Sequence, residues 1–349
     1  MQRIHRSFYS LLVPVLLLPG TGNAQESPYT AKQTPYSYTV QRKAEVTHGA
    51  VISAHPLASA AGLAILQKGG NAIDAAITTQ LALAVVYPAA GNIGGGGFMI
   101  AHLAKNPAAK NPAAKTPGTK RPSAAKAAAA SLDIALDFRE RAPAAATRDM
   151  YLDASGNPVQ GLSENGHLAS GVPGTIAGIF AELKYAKLPF AQLIQPSIDL
   201  AEKGFVITES EARNLNGTRI AFTKYNTVQP VFIKDGSWKA GDTLIQKDLA
   251  KTLRLIRDRG AKSFYEGETA QLILAEMKRG KGIITAADLQ NYKAIERTPT
   301  IFPYHGHTIV TMPLPSSGGV VLQQMLRMVE DQPLATYGFE SVKAIHLMT

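Results

Sequence analysis

Hydrophobic and polar positions change period several times along this chain, and each change marks an element. Residues 49–53 are apolar and short enough for a strand. From His55 to Lys68, small and apolar residues recur at helical spacing, at Leu57, Ala60, Ala61, Ala64 and Ile65, which predicts a helix. Gly69-Gly70 closes it, and Asn71 is placed to cap the next helix. Asp74 falls in that helix's first turn, where a carboxylate suits the dipole. Residues 72–86 are apolar nearly all round, so this second helix is expected in the core, and Pro88 stops it. Residues 98–103 and 134–138 read as partner strands. Further helices are expected from Val172-Pro173-Gly174 to about Tyr185, and over residues 190–203, 247–258 and 267–279. Another follows Thr285, where Thr285-x-x-Asp288 has the form of a capping box. Residues 300–312 read as a hairpin turning at His305-Gly306, with helices over 320–330 and after Gly338. The sequence stops inside that last helix, which is expected of a truncated chain.

Composition narrows the class. Of the 349 residues, 45% are hydrophobic and 18% charged, an ordinary globular balance. There is no cysteine, which excludes a disulfide framework, a thiolate metal site and a cysteine nucleophile. The net charge of +10 raises the question of nucleic acid, but its placement answers otherwise. Lys105, Lys110, Lys115, Lys120, Arg121 and Lys126 lie in one acid-free tract, and without these and Arg3 and Arg6 the charge is about +2. No aromatics interleave with the lysines, so the tract lacks the stacking platform of a single-strand binder.

The chain ends and the tract organise the rest. Arg3, His5 and Arg6 precede a short apolar run from Leu11 to Leu18, and Gly22-Asn23-Ala24 supplies small residues before Gln25. Residues 1–24 therefore read as a cleavable secretory signal, too short to span a bilayer, and imply export to a periplasmic or extracellular space. Residues 25–44 are a polar, extended lead-in. Residues 104–130, with a repeated Asn-Pro-Ala-Ala-Lys, cannot bury enough apolar area to offset ordering and read as a mobile, dispensable hairpin-tip insertion. Residues 45–349 hold the remaining domain.

Candidate chemistry sits in five stretches: Gly69 to Ala76, Gly91 to Phe98, Asp137-Phe138-Arg139-Glu140-Arg141-Ala142-Pro143, Gly171 to Gly178, and Pro313 to Gly319. The glycines of the second lack the Lys-Ser/Thr of a phosphate loop and better serve a close backbone approach. His55, His102, His305 and His307 show no metal-type clustering, so no metal is assigned. Ser316-Ser317 lies outside Gly-x-Ser-x-Gly, with no His-Asp pair placed to activate it, and fits a cap and tight turn. Arg139 stands out. It follows an apolar strand, with Arg141 two residues on and thus on the same strand face. From the residues alone, it is either half of an Arg–Glu structural pair or a guanidinium offered to a carboxylate, two N–H groups at once.

Taken in order, the five stretches resemble the γ-glutamyltranspeptidases, N-terminal-nucleophile hydrolases made as one precursor that cleaves itself into two subunits. The resemblance runs from about Ala44 to the last residue, interrupted by the lysine-rich tract. It implies an α+β fold, the four-layer αββα sandwich, incomplete here because the small subunit is missing. It implies that Arg139 holds the α-carboxylate of a γ-glutamyl donor such as glutathione. Its neighbour Glu140 is expected, from adjacency alone, to position it through a salt bridge. The nucleophile of such enzymes is a threonine heading the small subunit in a Thr-Thr-His-like stretch. The only pair here, Thr78-Thr79, lies in a buried helix and is followed by Gln80, so the nucleophile is expected C-terminal to Thr349. The implied partners are glutathione and related γ-glutamyl compounds, acceptor amino acids or peptides, and the small subunit of the same precursor. No cofactor, nucleic acid or stable membrane anchor is implied. Two alternatives stay open: an acylase or poly-γ-glutamate depolymerase of the same fold, or a non-catalytic exported protein should the gene end at residue 349.

Overall fold

The computed structural model describes residues 45–104 and 131–349. The signal and lead-in read from residues 1–44, and all but the first residue of the lysine-rich insertion, lie outside the described residues.

Two helices begin the fold. α1 (Pro56–Gln67) is capped by His55, whose ring Nδ1 accepts from the Leu57 N–H at 3.2 Å. α2 (Ala72–Val86) starts with a reciprocal box: the Asn71 side chain accepts from Ile73 and Asp74, and the Asp74 carboxylate accepts from Asn71 N–H at 2.7 Å. Asp74 does more than cap. Fully buried, it also accepts from the backbone N–H groups of Lys187 and Leu188. The start of α2 is thereby fixed to a turn more than a hundred residues away. A buried carboxylate is tolerated only when donors surround it in this way.

A three-stranded antiparallel sheet lies beside these helices. β1 (Phe98–Leu103) pairs with β2 (Leu132–Asp137) in the register Phe98↔Asp137 to Leu103↔Leu132. β5 (Ile295–Arg297) pairs with the other edge of β2, Asp137 opposite Ile295. β2 is central, and Ile134 to Asp137 are all buried. α3 (Thr175–Glu182) runs into a 3-10 turn at Leu183–Tyr185, and α4 (Phe190–Lys203) packs on α2. A two-stranded ribbon of β3 (Phe205–Val206) and β4 (Thr243–Leu244) brackets α5 (Glu209–Tyr225). α6 (Lys247–Arg259), α7 (Lys262–Tyr265), α8 (Glu268–Gly280) and α9 (Ala286–Asn291) follow. The hairpin of β6 (Thr300–Tyr304) and β7 (His307–Thr311) leads to α10 (Ser317–Met328), α11 (Leu334–Tyr337) and α12 (Val342–Met348).

The core is drawn from α1, α2, β2, α3, α4 and α6, where Ile65, Ile77, Leu81, Ile134, Ile176, Ile179, Leu193, Ile198, Leu253 and Ile256 are sealed from solvent. The architecture is mixed helix and sheet. Among the described residues no helix is long and apolar enough to cross a membrane. One expected element is absent: residues 49–53 form no strand, and Ile52 is 91% exposed. An apolar run becomes a strand only when an edge is there to pair with it, and no described strand lies alongside.

Candidate functional site

Three of the five stretches converge on Phe138. The segment leaving β2 crosses the Gly91-to-Gly97 turn, with Phe138 N–H donating to Gly97 O at 3.0 Å and Gly97 N–H to Phe138 O at 3.3 Å. The Gly171-to-Gly178 stretch closes from the other side. Gly174 and Thr175 both donate to Gly95 O, and the Asn92 side-chain oxygen accepts from Gly95 N–H and the Thr175 hydroxyl. Such spacing leaves no room for side chains. A Cβ on Gly174 would sit 2.0 Å from Phe138 O, and one on Gly178 would sit 2.3 Å from the Phe138 ring. Glycine is needed here for close approach and not for an unusual turn.

Arg139 is exposed at this junction, as are Glu140 and Arg141 after it. Sequence reasoning put it on a strand face with Arg141; instead β2 ends at Asp137, and neither arginine is in a strand. Arg141 turns away. It forms an isolated bridge to Val172, donates to Lys293 O at 3.0 Å, and lays its guanidinium 5.1 Å from the Tyr292 ring centre. The Arg139 backbone is held by side chains at both ends. Its N–H donates to Asp137 Oδ1 at 3.1 Å, and its carbonyl accepts from the Tyr292 hydroxyl at 2.6 Å. Asp137 is in turn fixed by Arg297, whose guanidinium reaches Oδ2 at 2.7–2.8 Å. The Arg139 guanidinium itself makes no hydrogen bond or ion pair among the described residues. The expected Glu140–Arg139 salt bridge is likewise absent among them, and Glu140 lies against Gly171 instead. Tyr292 and Arg297 carried no signal in the sequence that linked them to Arg139.

Beside the junction runs an open groove of about 840 Å³, lined by residues 48–54, the face of α2 bearing Ala72, Ala75, Ala76, Thr79 and Gln80, the Gly96–Phe98 backbone, Phe138 and Thr175. Phe138 is part of its wall, and Arg139 comes next in the chain. The Thr79 hydroxyl is buried with no partner among the described residues.

Other candidates resolve as structure. Ser316 is the N-cap residue of α10, with its N–H donating to Pro313 O. Two of the four histidines judged unclustered do have a carboxylate: His55 Nε2 lies 2.9 Å from Glu211 Oε1, and His102 Nδ1 2.6 Å from Asp133 Oδ1. Each is a pair between distant residues, which sequence spacing cannot show. Among the described residues no group of three potential ligands forms. Displaced acidities do not mark the groove either. Burial pushes the Glu182 carboxyl up to about 7. Burial also raises Glu276, but hydrogen bonds from Thr227, His167 and Arg279 outweigh it and hold that carboxyl down to about 2. Neither residue lines the groove.

A family model described as Gamma-glutamyltranspeptidase matches residues 58–127 and 123–349. The chain is 44% identical over 302 residues to the glutathione hydrolase proenzyme of Pseudomonas sp. (strain A14), covering 86% of this chain and 48% of that protein. It is 33% identical over 320 residues to the Acylase ACY 1 proenzyme of Pseudomonas sp. (strain V22), covering 89% and 53%. The solved Helicobacter pylori gamma-glutamyltranspeptidase superposes at a TM-score of 0.77 with 45% identity, over 88% of this chain and 81% of that one. The chain spans about half the length of the curated relatives it matches.

Proposed function

Because the chain belongs to the γ-glutamyltranspeptidase family, we propose that it supplies the donor-carboxylate site of an enzyme that transfers or hydrolyses γ-glutamyl groups. Arg139 binds the donor α-carboxylate through two parallel N–H···O bonds. A threonine beyond Thr349, heading a small subunit of the same precursor, attacks the γ-amide carbon of glutathione. The C–N bond breaks, cysteinylglycine leaves carrying the proton, and the γ-glutamyl group remains as an ester. Water or an acceptor amine then attacks the ester and frees the threonine. The small subunit would add strands to the sheet described above and complete a four-layer αββα sandwich. Its N-terminal pattern supports export of the chain; secreted protein beginning at Gln25 would support this, and a mature chain retaining Met1 would overturn it.

The observation that carries the reading is an exposed guanidinium with no partner among the described residues, on a backbone that glycines and buried side chains hold in place. A structural arginine would have spent its charge on a neighbour, as Arg297 does on Asp137. The test is Arg139→Ala and Arg139→Lys in the full-length protein, with a γ-glutamyl anilide as donor. Losing a charge-assisted pair should lower kcat/KM by about 10²-fold, and lysine, lacking the fork, should recover little of it. Activity within twofold of the parent would overturn the assignment. Turnover of a γ-glutamyl anilide against a glutaryl amide separates this reading from the acylase one, since the two acyl groups differ only in the α-amino group.

A further inference from the structure

We propose that Tyr292 is a positioning residue for Arg139: its hydroxyl, donating to the Arg139 carbonyl, sets where the guanidinium stands. The inference rests on Arg139 being the carboxylate-binding group. β2 stops at Asp137, so sheet hydrogen bonds do not place Arg139. Two side chains do, Asp137 on its N–H and Tyr292 on its C=O.

Tyr292 is built to be rigid. The ring is buried, lies parallel to Tyr265 at 6.0 Å and 3°, and carries the Arg141 guanidinium 5.1 Å from its centre. Tyr265 is itself fixed, donating to Pro173 O at 2.9 Å and accepting from Ala177 N–H at 3.1 Å. Burial pushes the Tyr292 hydroxyl up to about 12, so it keeps the proton it donates. The approach is cut to fit: a Cβ on Gly174 would stand 2.2 Å from the Tyr292 hydroxyl oxygen. A salt bridge on the guanidinium would hold Arg139 too, but would compete with the donor carboxylate. Fixing the backbone instead leaves the charge free, and a two-bond contact to a carboxylate depends on where the guanidinium stands, so displacing it weakens donor binding.

The test is Tyr292→Phe in the full-length protein, alone and combined with Arg139→Ala, with two donors: a γ-glutamyl anilide and a 4-aminobutyryl anilide, which lacks the α-carboxylate. Phenylalanine keeps the ring and its stacking and removes only the hydroxyl. The expected result is a rise in KM for the γ-glutamyl donor of about five- to tenfold, with kcat within twofold. The 4-aminobutyryl donor should be unaffected, which also certifies that the variant is folded. In the Arg139→Ala background the second change should add nothing for either donor. If Arg139→Ala itself fails to distinguish the donors, the carboxylate reading falls, and this inference with it. If Arg139→Ala distinguishes them but Tyr292→Phe matches the parent, or lowers both donors equally, the positioning role falls and Arg139 stands.

Discussion

The junction around Phe138 and the C-terminal stretch from Thr300 to Thr349 are built to opposite rules. At the junction every nearby position is spent on contact: glycines strip away side chains, buried tyrosines aim their hydroxyls at carbonyls, and one arginine is left over. In the C-terminal stretch many apolar positions face outward, although Phe302 and Met312 are buried. Leu314, Val321, Leu322, Met325, Met328, Phe339, Val342, Ile345 and Met348 are all exposed, Phe339 at 93%, whereas α1 and α2 together expose one large apolar side chain, Leu63. Both regions have well-formed elements, so propensity does not separate them. What separates them is whether the apolar face has something to bury against. The junction is complete among the described residues, and the C-terminal face is not.

The harshest way to break the contrast is to crowd the junction. Gly178→Ala places a methyl group 2.3–2.7 Å from three carbons of the Phe138 ring, and a Cβ on Gly97 would also come within 2.9 Å of that ring. The ring must shift, and overpacking of this kind should cost about 3 kcal/mol. The unfolding midpoint of the intact protein reads it. Because Phe138 precedes Arg139, donor KM should rise in whatever fraction still folds. A midpoint within experimental scatter of the parent would mean that the convergence is looser than the distances indicate.

How much of this could be read in advance follows the same division between local and distant causes. The helices over Pro56–Gln67, Ala72–Val86 and Phe190–Lys203, the hairpin at His305-Gly306 and the Thr285–Asp288 capping box depend on neighbours within a few residues. Periodicity and cap chemistry suffice for them. α5 was missed because it is polar almost throughout, burying only Ala212 and Leu215. The apolar residues 49–53 look like a strand because sequence shows strand character but not whether an edge awaits it. Arg139 was legible only through family resemblance, since its motif alone allowed a structural pair. Tyr292, 153 residues away, was invisible: a tyrosine after an amphipathic turn looks the same whether its hydroxyl faces solvent or an arginine carbonyl.

A second prediction sharpens the contrast by asking whether the helix that closes the junction is as fully satisfied as the glycines imply. It is not, at Glu182. This residue of α3 is 2% exposed, one carboxylate oxygen has no partner, and burial pushes its acidity up to about 7. The folded state therefore keeps a proton that the unfolded chain releases near its ordinary value. Between those two values the unfolded state binds fewer protons, so stability falls as pH rises. The loss should amount to about 2.5 kcal/mol between roughly pH 5 and pH 8. Glu182→Gln, neutral throughout, should remove that slope. Midpoints at the two pH values, parent against variant, decide it, and parallel slopes would show that Glu182 is solvated in the working protein.

The smallest effect is expected on the other side of the comparison. Met328 is 79% exposed at the end of α10, and Val342 is 86% exposed at the start of α12. Replacing either with lysine removes no described contact of consequence, so the 349-residue chain should change in stability by no more than about 0.5 kcal/mol. Its association should change far more. An apolar face of this extent draws copies together, and two lysines would set like charges on it, so light scattering at equal concentration should fall in the double variant. The same pair in the full-length protein then separates two meanings of the face. If stability stays flat there too, the face is solvent surface. If the midpoint drops by well over 1 kcal/mol, another part of the protein covers it, and the asymmetry between the two regions belongs to the half-length chain alone.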